Sequence, residues 1–306
     1  MTPWITTFCS RKWNAWISIV LLLPGSTLIW TVDILRYFLD KSQSELCPLS
    51  CGVPQGSILG PLLFLLYVND MPCALQHSDL FLYADDSCIV FQSKDINNVQ
   101  DKLTQDFSEL CDWFVDNKLS IHFGQDKTKC IIFGTKRKLS KIENFSISYD
   151  SISISRHKTV SYLGCILDEF LTGENMACAV ISKINSRLRF LHRKNDSLSP
   201  KLRRMLCNAL IQPLFDFACC SWFSNLSKKS KKKLQICQNK CIRFCLQLPN
   251  RTHIDSSHFL KINWLNVDDR VSQMICSHAF KFFNNSSPKY MGHVFQICHI
   301  QQETLF

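Results

Sequence analysis

Two adjacent carboxylates, Asp85 and Asp86, follow Tyr83-Ala84 between two short apolar segments at residues 80–83 and 87–92. Side by side, their like charges repel, and each raises the other's pKa unless cations compensate. A divalent ion is the natural compensation. Mg²⁺ prefers hard oxygen ligands in octahedral geometry and keeps waters and substrate phosphates in its remaining positions. Two such ions can activate an attacking hydroxyl and stabilise the leaving group of an in-line displacement at phosphorus. By spacing alone, an Asp-Asp pair in a turn is more often just a solvated turn.

About thirty residues upstream runs Gly52-Val53-Pro54-Gln55-Gly56-Ser57-Ile58-Leu59-Gly60-Pro61-Leu62-Leu63-Phe64, followed by Tyr67-Val68-Asn69-Asp70-Met71-Pro72. Its glycines permit close backbone approach to a ligand. Gln55 offers both donors and an acceptor to a base or sugar. The plainer reading is a loop opening a buried helix.

The elements that must position these residues follow from periodicity. Strand-like residues on both sides of Ala-Asp-Asp predict a hairpin. Residues 62–69 predict an apolar helix. Val99, Leu103, Phe107, Leu110 and Phe114 predict an amphipathic helix over 96–117. Ile34, Leu35, Phe38 and Leu39 suggest another helix over 30–43. Strands are expected at 128–133, at 145–154 with a turn at Asp150-Ser151, and at 159–167. Helices are expected at 175–193, 200–222, 230–247 and 268–283. The first half is thus α+β and the second helical.

Composition sets the class. With 46% hydrophobic and 20% charged residues, disordered and fibrous classes are excluded. A net charge of +10 favours a polyanionic partner, nucleic acid being the commonest. The 17 cysteines are scattered through apolar segments and read as reduced core residues of an intracellular protein, in cytoplasm or nucleus and not secreted. Cys237, Cys241 and Cys245 recur at helical spacing and read as a buried stripe, with metal ligation alongside His253 as the alternative. An apolar run at residues 16–23 stops at Pro24-Gly25, too short to span a membrane. Residues 1–30 hold four tryptophans and no acidic residue, and read as irregular.

Together the Gly52–Phe64 and Tyr83–Asp86 blocks resemble the motif pair of reverse transcriptases, and the Ser-Ile-Leu-Gly-Pro-Leu-Leu-Phe version resembles the non-LTR (LINE-type) retrotransposon group. Trp113, Asn117-Lys118-Leu119-Ser120, Lys127-Thr128 and Ile131-Ile132-Phe133-Gly134 are similar to the family's fourth palm motif. His122 departs from its usual asparagine. Tyr162-Leu163-Gly164, with Asp168 beyond, is similar to the segment supporting the primer end. Residues 183–222 resemble the helical thumb.

The resemblance implies an RNA-directed DNA polymerase acting on an RNA template, a DNA primer and deoxynucleoside triphosphates. The implied architecture is α+β: a partial palm at 31–170, an antiparallel sheet with helices, then an all-helical thumb-like region at 171–225 and a C-terminal helical region at 226–306. Residues 1–30 do not read like the family. Asp85 and Asp86 are the implied catalytic and metal-binding carboxylates for Mg²⁺. Lys127 is implied near the leaving phosphate, where a basic donor protonates or screens developing charge. Gly52, Pro54, Gln55, Gly56, Tyr83, Tyr162 and Gly164 are the implied template and substrate contacts.

The family also carries a third metal-bridging aspartate on an upstream strand, whereas this chain has no acidic residue before Asp33. The expectation is therefore a chain truncated at its N-terminus, with an incomplete two-metal site. The alternative is a non-catalytic nucleic-acid-binding remnant of a retroelement. The basic run at residues 228–233 suits phosphate contact, nuclear import or a solvated helix start.

Overall fold

The computed structural model describes residues 56–119, 121, 123, 127–142, 145–150, 152–194 and 197–284, together with the backbone of four short strands between 34 and 48. Two compact units arise, one from Met1–Cys130 and Ile142–Arg156, the other from Ile131–Lys141 and His157–Phe306. Residues 1–30 lie outside the described part.

In the first unit, Ile34–Leu35 (β1) pairs antiparallel with Cys47–Pro48 (β4), and Phe38–Leu39 (β2) pairs with Ser42–Gln43 (β3). This overturns the helix expected over 30–43. Apolar residues at i, i+1, i+4 and i+5 fit a helical stripe, but a window this short cannot exclude pairing with a downstream strand, and here the pairing prevails.

Gly60–Tyr67 (α1) begins at the expected loop, with Pro61 in its first turn and the Ser57 hydroxyl accepting the Gly60 N–H at 3.3 Å. Contrary to the buried-helix reading, Leu62 and Leu65 are exposed, and Gly60 is the buried residue of α1. A 3₁₀ turn at Met71–Ala74 precedes the hairpin of Asp79–Tyr83 (β5) and Asp86–Val90 (β6).

The expected amphipathic helix is Ile96–Asp116 (α2), capped by the Asp95 carboxylate accepting the Asn97 N–H at 3.1 Å. Its buried Phe107 meets Tyr149 edge-on. The strand expected at 128–133 shrinks to Cys130–Ile131 (β7). Ser146–Tyr149 (β8) and Ile152–His157 (β9) form the expected hairpin, with Asp150 left-handed at φ 51°. The sheet order is β7-β9-β8.

The second unit starts with Lys136–Leu139 (α3). Residues 159–167 form not one strand but a hairpin of Thr159–Tyr162 (β10) and Cys165–Asp168 (β11). Leu163 and Gly164 are both left-handed, at φ 46° and 80°, and two such residues in sequence reverse the chain.

Glu174–His192 (α4) lays Met176, Val180, Ile184, Leu188 and Leu191 into the core. The helix expected over 200–222 is three: Pro200–Leu210 (α5), Gln212–Asp216 (α6) and Cys219–Trp222 (α7). Pro213 cannot donate to a preceding turn, and Ala218 is left-handed at φ 48°, so continuity is lost at both places.

Lys228–Leu246 (α8) and Val267–Phe283 (α10) match their predicted spans within a few residues. Between them the sequence reading missed Ser256–Ile262 (α9), a short helix fixed by an Asp255–His258 capping box. Helices α4 and α8 run parallel. Glu174 reaches the start of α8 at Ser227, and the His192 ring meets Phe244 near its end at 4.8 Å.

Cys237, Cys241 and Cys245 are buried in this core, as the stripe reading expected. Among the described residues no group of three or more His, Cys, Asp or Glu could hold a metal. Twelve described cysteines are free, but Cys73 is disulfide-bonded, which corrects the expectation of uniformly reduced thiols. No described helix is long and apolar enough to cross a membrane.

Candidate active site

The β5–β6 hairpin is registered by five pairs: Asp79↔Val90, Leu80↔Ile89, Phe81↔Cys88, Leu82↔Ser87 and Tyr83↔Asp86. Its two-residue loop is Ala84-Asp85. Ala84 is left-handed at φ 52°, a position that glycine occupies more readily. Holding alanine there costs about 1 kcal/mol, which the paired strands must offset.

Directly opposed residues share a face of the ribbon. One face therefore carries Leu80, Leu82, Ser87 and Ile89. The other carries Asp79, Phe81, Tyr83, Asp86, Cys88 and Val90.

The first face anchors the hairpin. Leu80 and Ile89 pack against buried Met71, Leu75 and Leu110, with Trp113 and Phe114 alongside. The second face is open: Phe81 is 53% and Tyr83 65% exposed. Asp85 and Asp86 are exposed at the tip, next to Tyr83. Neither carboxylate is engaged by a described residue, so both keep their oxygens available for a ligand.

A residue that sequence reasoning missed sets the root of this hairpin. Asp106 of α2 is fully buried. It accepts the backbone N–H of Gln76 at 3.0 Å and of His77 at 3.1 Å. Those amides lie just before β5. The signal was present in the sequence: Asp106 sits three residues after Leu103 and four before Leu110, on the apolar stripe of α2.

The other candidate residues are distributed as follows. Gly56 is exposed and left-handed at φ 86°, with open space where a side chain would project. Gly52, Pro54 and Gln55 lie outside the described residues. Lys127 is exposed in the first unit, three residues before β7. The Tyr67 hydroxyl donates to the Asn117 carbonyl, tying α1 to the end of α2.

Tyr162 and Gly164 belong to the second unit, at the β10–β11 turn. A Cβ on Gly164 would stand 3.2 Å from the Phe217 ring, so the left-handed conformation favours glycine there and a side chain would also press on that ring. Asp168, at the end of β11, accepts from the Phe170, Thr172 and Gly173 amides and the Thr172 hydroxyl at 2.9–3.2 Å. Burial alone would raise its pKa. The Thr172, Phe170 and Gly173 donors outweigh burial and hold it below the usual carboxylate value. Its role is to fold the turn that starts α4.

The sequence pattern of the family reverse transcriptase (RNA-dependent DNA polymerase) matches residues 6–167, more than half of the chain. The chain belongs to the reverse transcriptase family. Its relatives place it on the non-LTR branch. It is similar to the probable RNA-directed DNA polymerase from transposon X-element of Drosophila melanogaster, at 27% identity over 63% of this chain and 21% of that protein. It is similar to the one from transposon BS of the same fly, at 25% identity over 72% of this chain and 25% of that protein. The RNA-directed DNA polymerase from mobile element jockey is 25% identical over 67% of this chain and 23% of its own length. This reverse transcriptase chain thus spans about a fifth to a quarter of the curated relatives it matches. No solved structure matches it.

Proposed function

We propose that this chain carries part of the polymerase site of a non-LTR retrotransposon reverse transcriptase, which adds deoxynucleotides to a DNA primer 3′-end along an RNA template. The observation that carries the proposal is the hairpin tip. Asp85 and Asp86 stand exposed and unengaged beside Tyr83, in a chain of this family. Two adjacent carboxylates held in the open fit a divalent ion, by our reading Mg²⁺, because they are hard oxygen donors and leave coordination positions for water and phosphate oxygens. Bound there, such ions supply charge stabilisation at the attacking and leaving oxygens.

The remaining roles belong to the chain itself. Tyr83, on the same open face as Asp86, lies beside the primer terminus. Gly56, with Gln55, Pro54 and Gly52 before it, lets template and incoming nucleotide approach the backbone closely. Lys127 screens the leaving phosphate. Tyr162 and Gly164 support the primer. In this reading residues 31–170 form the partial palm, residues 171–225, with α4 to α7, the thumb-like region, and residues 226–306, with α8 to α10, the C-terminal region.

Primer extension by the purified chain with Mg²⁺ or Mn²⁺ tests the proposal. Extension is expected to be weak, because one pair of acids holds two ions poorly. It should vanish in Asp85→Ala and Asp86→Ala. Extension that persists in both variants would overturn the assignment. Mn²⁺ binding that is followed by electron paramagnetic resonance and lost in the double variant gives a readout independent of turnover.

A further inference from the structure

Helix α8 lies beyond the 6–167 segment matched to the family, and the polymerase reading leaves it unassigned. Its 19 residues contain no acid. Lysines occupy positions 228, 229, 231, 232, 233 and 240. Lys228 with Lys232, and Lys229 with Lys233, are like-charged i, i+4 neighbours, which destabilise a helix. Five of the lysines crowd its N-terminal turns, where the helix dipole disfavours cations. Helix stability therefore does not account for this arrangement.

Geometry sorts the lysines. Residues 229, 232, 233, 236 and 240 follow the i, i+3, i+4, i+7, i+11 spacing of a single face. On it Lys229, Lys232, Lys233 and Lys240 are exposed, and Ile236 is 46% exposed. The opposite face, with Leu234, Cys237, Cys241 and Cys245, is buried in the core. Lys231 departs from the face and stacks over the Phe223 ring at 4.8 Å. Glu174, which reaches the start of α8, is occupied: it accepts the Ser227 N–H at 3.0 Å and the Ser230 hydroxyl, while Lys233 adds to holding its pKa down. A cationic stripe about 16 Å long remains, held rigid by a packed helix.

We propose that this face of α8 is a docking surface for the phosphate backbone of nucleic acid, separate from the Asp85–Asp86 site and blind to base sequence. A duplex strand presents a phosphate about every 3.4 Å along its axis, so several fall within the stripe. The face presents no exposed aromatic ring for base stacking, so contact stops at phosphate. A membrane surface fits poorly, because the apolar side that would have to insert is already spent on the core.

The test is fluorescence anisotropy with the whole chain, in EDTA, on labelled DNA duplexes of about 20 base pairs and two unrelated sequences, at several salt concentrations. The variant is Lys229→Gln/Lys232→Gln/Lys233→Gln/Lys240→Gln, checked for helicity by circular dichroism. Each lost contact removes about 0.9 from the slope of log K against log salt, so the slope should fall by roughly 3 to 4. Between about 50 and 200 mM salt, wild-type affinity should therefore drop roughly a hundredfold more than that of the variant. Lys240→Glu alone, at an exposed mid-helix position, should reduce the slope by about one or more even if the fourfold variant misfolds. The four lysines changed to arginine should restore it.

An unchanged slope in Lys240→Glu and in a folded fourfold variant overturns the proposal. So does equal competition by polyglutamate or by phosphatidylserine vesicles. Asp85→Asn is expected to leave the slope intact, which separates failure here from failure of the polymerase reading.

Discussion

Replacing Asp106 by alanine removes the one acceptor shared by the Gln76 and His77 amides, at 3.0 and 3.1 Å, from a position with no solvent exposure. Each buried donor left without a partner costs about 1–3 kcal/mol. Gln76 and His77 are themselves exposed, so water can partly re-enter. A net loss of about 2–3 kcal/mol follows, a large share of the roughly 5–15 kcal/mol typical of a domain. Asp106→Asn keeps one acceptor but turns an amide donor towards the other N–H, so about half that loss is expected.

The damage should be local to the hairpin root. Urea denaturation measures the stability change. Hydrogen exchange should show the Gln76 and His77 amides and β5 exchanging faster than β8 and β9. Mn²⁺ affinity at Asp85–Asp86 should weaken, although Asp106 touches neither acid. If Asp106→Ala unfolds within about 0.5 kcal/mol of wild type, with those two amides equally protected, the anchoring argument is wrong.

Three glycines form a graded series. Gly56→Ala meets no atoms and carries only left-handed strain, about 1 kcal/mol; Gly164→Ala adds the Phe217 ring at 3.2 Å, which can yield; Gly173→Ala places its Cβ 2.4 Å from the Trp222 carbonyl oxygen and should prevent the second unit from folding normally. Thermal melts should rank them in that order, and equal melting temperatures would refute it. Acid stability is the last prediction. Because the folded-state pKa of Asp168 lies below its usual 3.8, its contribution is complete above that value and is lost as pH falls through the lower, folded value. Melting temperature should thus drop below about pH 4, less steeply in Asp168→Asn, and parallel pH profiles would refute the role.

Much of this arrangement can be read from residue order. The hairpin around Ala84-Asp85, the amphipathic α2 and the Asp150 turn are local events, fixed by residues adjacent in sequence or one helical turn apart. Reading failed where distant chain decides. Ile34 and Leu35 fit a helical stripe because their partners, Pro48 and Cys47, lie beyond the window, whereas Phe38 and Leu39 pair with Gln43 and Ser42 inside it, where apolar spacing alone does not separate helix from strand. Leu163-Gly164 falls inside the single strand expected over 159–167, because leucine rarely adopts the left-handed conformation that makes it a turn. Asp106 was overlooked because an acid on an apolar stripe announces a buried acceptor but does not name its donors. The openness of Phe81 and Tyr83 was invisible for the same reason, since exposure belongs to the neighbours.

The hairpin is a lever. Its base, at Leu80 and Ile89, is gripped by α2 and its surroundings, while the two acids ride roughly 10 Å further out at the usual strand rise. A tilt of about 5° at the base therefore swings the carboxylates through about 1 Å, a displacement large enough to slow a well-aligned reaction a hundredfold. Side chains packed at the root thus set the aim of the acids at the tip, and in the proposed site a methyl group lost beneath Leu80 would weaken a tip whose own residues are intact.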